Sequence, residues 1–331
     1  TLKAQYTSTH HAAVSLFMSK SNGNYVGSGF IMKRSGHTDC YIITVAHNVL
    51  ENDRNTYASK IIASITTADG TYKSVICTVI GVAGYADIAV LKMETTIPNL
   101  TYLEWATTSP SIGDVAIVIG DPLGLDAQSF ALGSIRDHKY THLNHVKSVC
   151  ITNSILGGNS GSPILNANFE VIGIISYGMI GSDTVSWGAH HEIIEMVTEH
   201  IISGYQSTGN ITNFIGGTFN AEMTPIDSAY AHTNNISELD LEGYVVTSLT
   251  GTSSLTVGTI VKKLNNAALG LYENQVPPFA LYLNPNTVFD VHINNSNTAT
   301  QMTSGLLSLS YDMFLGGGSN LDPEEKVTIL G

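Results

Sequence analysis

Short apolar runs rich in β-branched side chains dominate the first 190 positions. Residues 26–32, 40–45, 74–80, 88–92, 115–119 and 171–176 each form such a run, and Gly, Asn, Asp and Pro punctuate them. Runs of that length between turn formers predict strands. Many short strands in succession predict an all-β barrel or sandwich. The period then changes. Ile193, Ile194, Val197, Ile201 and Ile202 recur at helical spacing with Glu192, Glu195 and Glu199 between them, which predicts one amphipathic helix stopped at Gly204. Residues 206–213 are rich in Ser, Thr, Gly and Asn and read as a linker. A second set of β-prone runs follows at 244–249, 258–264, 288–293 and 306–311, and three glycines at 316–318 loosen the chain into a tail. The expected division is a domain over 1–205, a smaller one over 206–315 and a tail over 316–331, with no fixed-period repeat.

Composition narrows the function classes. A length of 331 residues is too great for one compact antiparallel domain and fits two. Acidic residues outnumber basic ones 27 to 14, for a net charge of −13. Phosphate backbones and anionic membrane surfaces would repel such a chain, so neither nucleic acid nor a lipid surface is an expected partner. No apolar run reaches the ~18 residues of a membrane span. No secretory leader is legible, and the sequence assigns no compartment. Cys40, Cys77 and Cys150 are odd in number and widely spaced, so free thiols are expected rather than a disulfide framework or a zinc site.

Three local patterns carry chemistry. Thr44-Val-Ala-His47 ends a strand on a histidine, Ala86-Asp87 opens a buried strand with an aspartate, and Gly157-Gly-Asn-Ser160-Gly-Ser-Pro163 sets a serine in a glycine-rich turn. Each alone is ordinary for a half-buried residue, a turn or a loop. Together, in the order His, Asp, Ser within one β domain, they supply the parts of an acyl-transfer site. A serine hydroxyl is a poor nucleophile until a neutral imidazole accepts its proton. A buried carboxylate fixes the imidazole tautomer and stabilises its cation. The glycines let the backbone turn so that the N–H groups of Gly158 and Ser160 converge on one point, as an oxyanion hole requires.

These residues resemble the trypsin-like serine proteases of the chymotrypsin fold, and within them the HtrA branch. Val26-Gly-Ser-Gly-Phe30 is similar to that family's strand before the histidine. Ile119-Gly-Asp-Pro-Leu-Gly124 with Leu132-Gly-Ser134 resembles its G-[ND]-P-x-G…x-G-x segment. Gly157-Gly-Asn-Ser-Gly161 and Val171-Ile-Gly-Ile174 resemble its nucleophile loop and following strand, and Trp187-Gly-Ala-His190 its last strand before the closing helix. The resemblance covers about residues 10–204 and implies a mainly β fold: two six-stranded barrels, an active site between them and a C-terminal helix. It implies His47, Asp87 and Ser160 as catalytic residues. Asn48 stands where animal digestive trypsins have a cysteine, so their bracketing disulfides are missing. Gly161-Ser162-Pro163 departs from the usual HtrA Gly-Gly-x.

By the same resemblance, Ser154, Ile175, Tyr177 and Trp187 would line the pocket for the residue preceding the cleaved bond. No carboxylate stands at its base, so a modest apolar residue is expected there rather than Lys or Arg. Asp183, in a neighbouring loop, is read as a solvated acid. Residues 210–313 resemble a PDZ domain, with Phe214, Ile215, Gly216 and Gly217 as its carboxylate-binding loop. The implied function is a serine endopeptidase acting on exposed or unfolded polypeptides, and HtrA proteins imply a trimer. The alternative is a non-catalytic structural or chaperone-like protein retaining the fold. No cofactor is expected. No metal is expected either: His138, His142 and His145 are spaced like ligands on a helix, but the resemblance implies a loop between strands for them.

Overall fold

The computed structural model describes residues 1–306 apart from 35–37, 54, 125–127, 138–146, 154, 180–184, 215–216, 227, 235–242, 266, 269–287 and 294–297. The described residues fall into two compact units, one ending at Phe214 and the other following it.

The first unit opens with α1 (Leu2–Thr9), a polar helix that buries none of its residues. Six strands then close a barrel: β1 (Ala13–Lys20), β2 (Gly23–Lys33), β3 (Cys40–Thr44), β4 (Lys60–Thr66), β5 (Tyr72–Ala83) and β6 (Ile88–Met93), in the order β1-β2-β3-β6-β5-β4. Leu16, Phe30, Ile42, Ile80 and Leu91 are among its fully buried side chains. Each contributes about 1.5–3 kcal/mol by leaving water. A one-turn helix, α2 (Ala46–Val49), follows β3.

Seven strands make the second sheet of this unit: β7 (Val115–Gly120), β8 (Ser129–Asp137), β9 (Ser148–Ile151), β10 (Pro163–Leu165), β11 (Val171–Ile174), β12 (Tyr177–Met179) and β13 (Val185–Ala189). Their order is β11-β10-β7-β8-β9-β13-β12. The resemblance implied a second six-stranded barrel. Among the described residues the sheet instead has seven strands and curls until an isolated bridge joins Gly173 to His190. Val118, Ile135, Val149, Ile164 and Ile172 pack in its core.

The helix α3 (His191–Thr208) closes the unit, and it runs through Gly204 rather than stopping there. Its end is Gly209, a left-handed C-terminal cap at φ 70. Gly204 serves close approach instead: a Cβ on it would lie 2.3 Å from Thr212 Cγ2. The stretch that composition marks as a linker is docked on the barrel. Thr212 N–H donates to Ile80 O at 2.8 Å and Phe214 N–H to Val82 O at 2.9 Å. Asn213 Oδ1 accepts from Val82 N at 2.9 Å and from the Tyr57 hydroxyl at 3.2 Å. The Ser/Thr/Asn content supplies hydrogen bonds here rather than freedom.

In the second unit, β14 (Gly217–Thr218) pairs with β21 (Gly305–Leu306). A larger antiparallel sheet takes β15 (Ala221–Pro225), β16 (Tyr244–Leu249), β17 (Ile260–Leu264), β19 (Val288–Ile293) and β20 (Thr300–Thr303) in that order, with β18 (Ala267–Ala268) on β17. Ile226 and Val245 form a small core with Ala231 of helix α4 (Ser228–Thr233). Most of the expected strand at 306–311 and all of the tail lie outside the described residues.

Gly81 tests the docking of 210–214. A Cβ there would sit 2.0 Å from the Thr212 carbonyl oxygen and 2.6 Å from Ile201 Cγ2. Gly81→Ala is expected to destabilise the protein by about 1–3 kcal/mol, read as a lower urea midpoint with an unchanged slope.

Candidate active site

Strand pairing brings the histidine and the aspartate together. β3 and β6 are neighbours with Thr44 opposite Ala89, so the third residue beyond Thr44 and the second before Ala89 meet at one end of the pair. His47 and Asp87 are those residues. Asp87 holds a left-handed backbone, φ 54 and ψ 50, at the end of a 3-10 turn. Asp tolerates that conformation better than most side chains, and three hydrogen bonds pin it. Its Oδ1 accepts from the His47 amide at 2.9 Å. Its Oδ2 accepts from His47 Nδ1 at 2.8 Å and from Ser176 Oγ. A carboxylate acceptor requires the proton on Nδ1, so in the neutral ring the lone pair is on Nε2.

Asp87 is 5% exposed. Burial by itself raises its pKa and is the largest single influence. The His47 charge and the bonds from the His47 ring, Ser176 and the His47 amide together outweigh it, so the carboxyl lies below its usual value of 3.8. Lys20 holds the other side of the histidine, its Nζ donating to the His47 carbonyl at 2.7 Å. Burial lowers the pKa of that ammonium, opposed by Glu51 and Asp87.

The Ser160 loop is tied to the histidine by a buried polar seam. Asn48 Nδ2 donates to the Ser160 carbonyl at 2.9 Å and to Thr44 Oγ1 at 3.0 Å. Thr44 Oγ1 donates to the Ser28 carbonyl at 2.7 Å. Ser28 N–H donates to the same Ser160 carbonyl at 2.8 Å, and Ser28 Oγ to the Gly158 carbonyl at 2.8 Å. Sequence reasoning named neither Lys20 nor this seam, and Asn48 registered only as the replacement of a cysteine.

Two glycines are required in the loop. Gly158 has φ 95, and a Cβ on it would lie 2.4 Å from the Asp121 carbonyl. Gly161 has φ 91, and a Cβ on it would lie 2.0 Å from the Ser28 carbonyl. The Gly157 carbonyl accepts from Leu123 N–H at 2.7 Å. Because the peptide unit is planar and trans, this points the Gly158 N–H in the opposite direction. Among the described residues neither the Gly158 nor the Ser160 N–H donates a hydrogen bond. Ser160 is fully buried, and its Oγ makes no hydrogen bond among the described residues.

Of the expected pocket residues, Tyr177 and Trp187 oppose each other across β12 and β13, their rings stacked at 5.5 Å. Burial raises the Tyr177 hydroxyl pKa. Ile175 packs in the second sheet's core with Ile155 beside it, and Ser154 and Asp183 lie outside the described residues. The expected carboxylate-binding loop needs correction at Phe214. Its N–H already bonds Val82 O and its ring sits edge-on to His200 at 5.0 Å, so it belongs to the first unit and offers no free amide. Ile215 and Gly216 lie outside the described residues, and Gly217 begins β14.

His138, His142 and His145 also lie outside them. His190, His191 and Glu192 bring one ligand atom each within 4.8 Å of one another. The arrangement is engaged otherwise: His190 Nδ1 accepts the Glu192 N–H at 3.3 Å as the cap of α3, and Glu192 pairs with Lys147 Nζ at 2.7 Å. Cys40, Cys77 and Cys150 are free thiols, and burial pushes Cys77 up to about 12.

Residues 27–174 match the family described as the trypsin-like peptidase domain. That stretch is similar to a trypsin-like peptidase domain. Over 209 residues the chain is 31% identical to the probable periplasmic serine endoprotease DegP-like of Chlamydia trachomatis, covering 62% of this chain and 38% of that protein. Over 178 residues it is 29% identical to a serine protease HtrA-like of Staphylococcus aureus, covering 49% of this chain and 21% of that one. The chain thus spans well under half the length of these relatives. Its fold is similar to the HtrA-type protease AlgW solved with a tripeptide, at a TM-score of 0.69 and 19% identity over 93% of this chain and 98% of that one. It is also similar to the serine endoprotease from Yersinia pestis, at 0.63 and 22% over the same shares. The matched stretch contains His47, Asp87 and Ser160. Lys20, before it, and Ser176, just after it, also contact the histidine and the aspartate.

Ser176→Ala removes one donor to a buried carboxylate and is expected to cost about 1–3 kcal/mol at pH 7. The Asp87 pKa is depressed in the folded protein, so this contribution is present above pH 3.8 and lost as pH falls through the lower folded value. Urea unfolding of both proteins at pH 7 measures it.

Proposed function

We propose that the chain is a serine endopeptidase that hydrolyses exposed or unfolded polypeptides through His47, Asp87 and Ser160. The observation that carries this reading is the imidazole held by Nδ1 to Asp87 at 2.8 Å, while the next residue, Asn48, grips the Ser160 carbonyl at 2.9 Å. Ser160 Oγ attacks the substrate carbonyl carbon as its proton passes to His47 Nε2. The carbonyl π electrons move to oxygen, which takes hydrogen bonds from the Gly158 and Ser160 amides. Collapse breaks the C–N bond, and His47 returns its proton to the leaving amine. Water then repeats the sequence on the acyl-enzyme. Asp87 keeps the imidazole oriented and stabilises its cation.

Complete burial of Ser160 means that surrounding side chains move when substrate enters. It also supports the second reading, a chaperone-like scaffold without turnover. The second unit is a PDZ-like module, supported by a fold likeness to AlgW that covers 93% of the chain. AlgW was solved with a tripeptide and with a decapeptide. Assembly into a trimer belongs to the same reading.

A fluorophosphonate is expected to label Ser160 in the native protein, and Ser160→Ala to lower kcat on casein by about five to six orders of magnitude. Absence of labelling at every protein concentration, with client binding retained, selects the scaffold instead. In a peptide series varied before the cleaved bond, Val or Leu is expected to exceed Lys or Arg in kcat/KM by about a hundredfold. Equal rates would remove the apolar preference.

A further inference from the structure

Lys20, the last residue of β1, reaches the backbone of His47 from a separate strand. α2 is a single turn, in which Leu50 N–H donates to Ala46 O at 2.9 Å. One residue on, a continuing α-helix would give the His47 carbonyl the Glu51 N–H. That N–H is turned away to Thr56 O, at 2.8 Å. Lys20 Nζ donates to the His47 carbonyl instead, at 2.7 Å, the length of a charge-assisted bond.

The ammonium is itself held. Lys20 and Tyr25 are diagonal neighbours on one face of the β1–β2 hairpin, because Met18 stands opposite Tyr25. Nζ lies 5.0 Å from the centre of the Tyr25 ring, and a half-buried cation gains more from such a ring than an exposed one. The next residue fastens the other flank of α2. Ser21 N–H donates to Glu51 Oε1 at 3.0 Å, and its hydroxyl to Glu51 Oε2 at 2.7 Å. Consecutive residues of one hairpin thus grip positions 47 and 51.

The two bonds from His47 to Asp87, from its amide at 2.9 Å and from Nδ1 at 2.8 Å, go to one carboxylate. The Lys20 bond comes from another element and acts on the peptide plane that joins His47 to Asn48. The N–H of that plane donates to Val45 O at 3.2 Å, and the Asn48 side chain grips the Ser160 carbonyl at 2.9 Å. We propose that Lys20 is a positioning residue for acyl transfer: by fixing the 47–48 peptide, it sets the aim of the His47 imidazole at Ser160. Misplacing a reacting group by about 1 Å costs about a hundredfold in rate, so a partial loss of aim is measurable. The inference rests on His47 and Ser160 acting as base and nucleophile.

Lys20→Met keeps the apolar stem and removes the donor, and Lys20→Arg restores a charged donor. In the full chain, Lys20→Met is expected to lower kcat on a chromogenic peptide ester about tenfold while KM stays within about a factor of two, and to slow fluorophosphonate labelling of Ser160 to the same extent. Rates are taken per labelled site, so a smaller folded fraction leaves them unchanged. Lys20→Arg is expected to recover most of the loss. A second measurement needs no turnover. In the Ser160→Ala protein, exchange of the His47 Nδ1 proton with water, followed by proton NMR, is expected to quicken about tenfold when Lys20→Met is added and to slow again with Lys20→Arg. An unchanged kcat, a rise in KM alone, no recovery with Arg, or an unchanged proton exchange would each overturn the proposal. If the protein with Lys20 intact takes no label, the endopeptidase reading fails, and the proton exchange still decides whether Lys20 holds the imidazole.

Discussion

One carbonyl oxygen, that of Ser160, receives hydrogen bonds from both Ser28 and Asn48. It is the point at which the Ser160 loop of the second sheet is fastened to the first barrel. Ser28, Thr44 and Asn48 are all buried, at 0%, 0% and 2% exposure, so none of these bonds competes with bulk water. Leaving one such group unsatisfied costs about 1–3 kcal/mol, and the groups are chained so that losing one disturbs the next. The relation of Ser160 to His47 depends on this seam more than on any apolar contact.

The seam also explains where backbone without side chains is needed. The Ser28 carbonyl occupies the space a Cβ on Gly161 would take, and the Asp121 carbonyl that of one on Gly158. Tight approach of three backbones leaves no room for a side chain at either position. Asp87 meets a similar constraint electrostatically. Its burial is tolerable only because the histidine and Ser176 compensate the charge. Positioning and stability are thus the same set of bonds in this part of the protein.

The residues of the site were legible to different degrees. His47, Asp87 and Ser160 sit in short motifs whose residue types already state the chemistry. Ser176 and Lys20 carry no such mark, since a serine ending a strand and a lysine beside a turn are commonplace. Asn48 registered only as the replacement of a cysteine, although it holds the Ser160 backbone. β8 escaped notice because its pattern is inverted: Phe130 and Leu132 face outward at 40% and 56% exposure while small residues alternate inward. The helix α1 has no apolar face to detect.

By itself the sequence determined the β character of the first 190 residues, the helix after them and the order His, Asp, Ser, because strand propensity, helical period and side-chain chemistry are local properties. Tertiary structure alone decided that Gly204 lies inside its helix, that residues 210–214 dock rather than link, and that Lys20 of one hairpin reaches the His47 carbonyl. Each of those outcomes turns on which distant backbone or side chain arrives as a neighbour. Pairing of strands far apart in sequence sets that, and no local pattern encodes it.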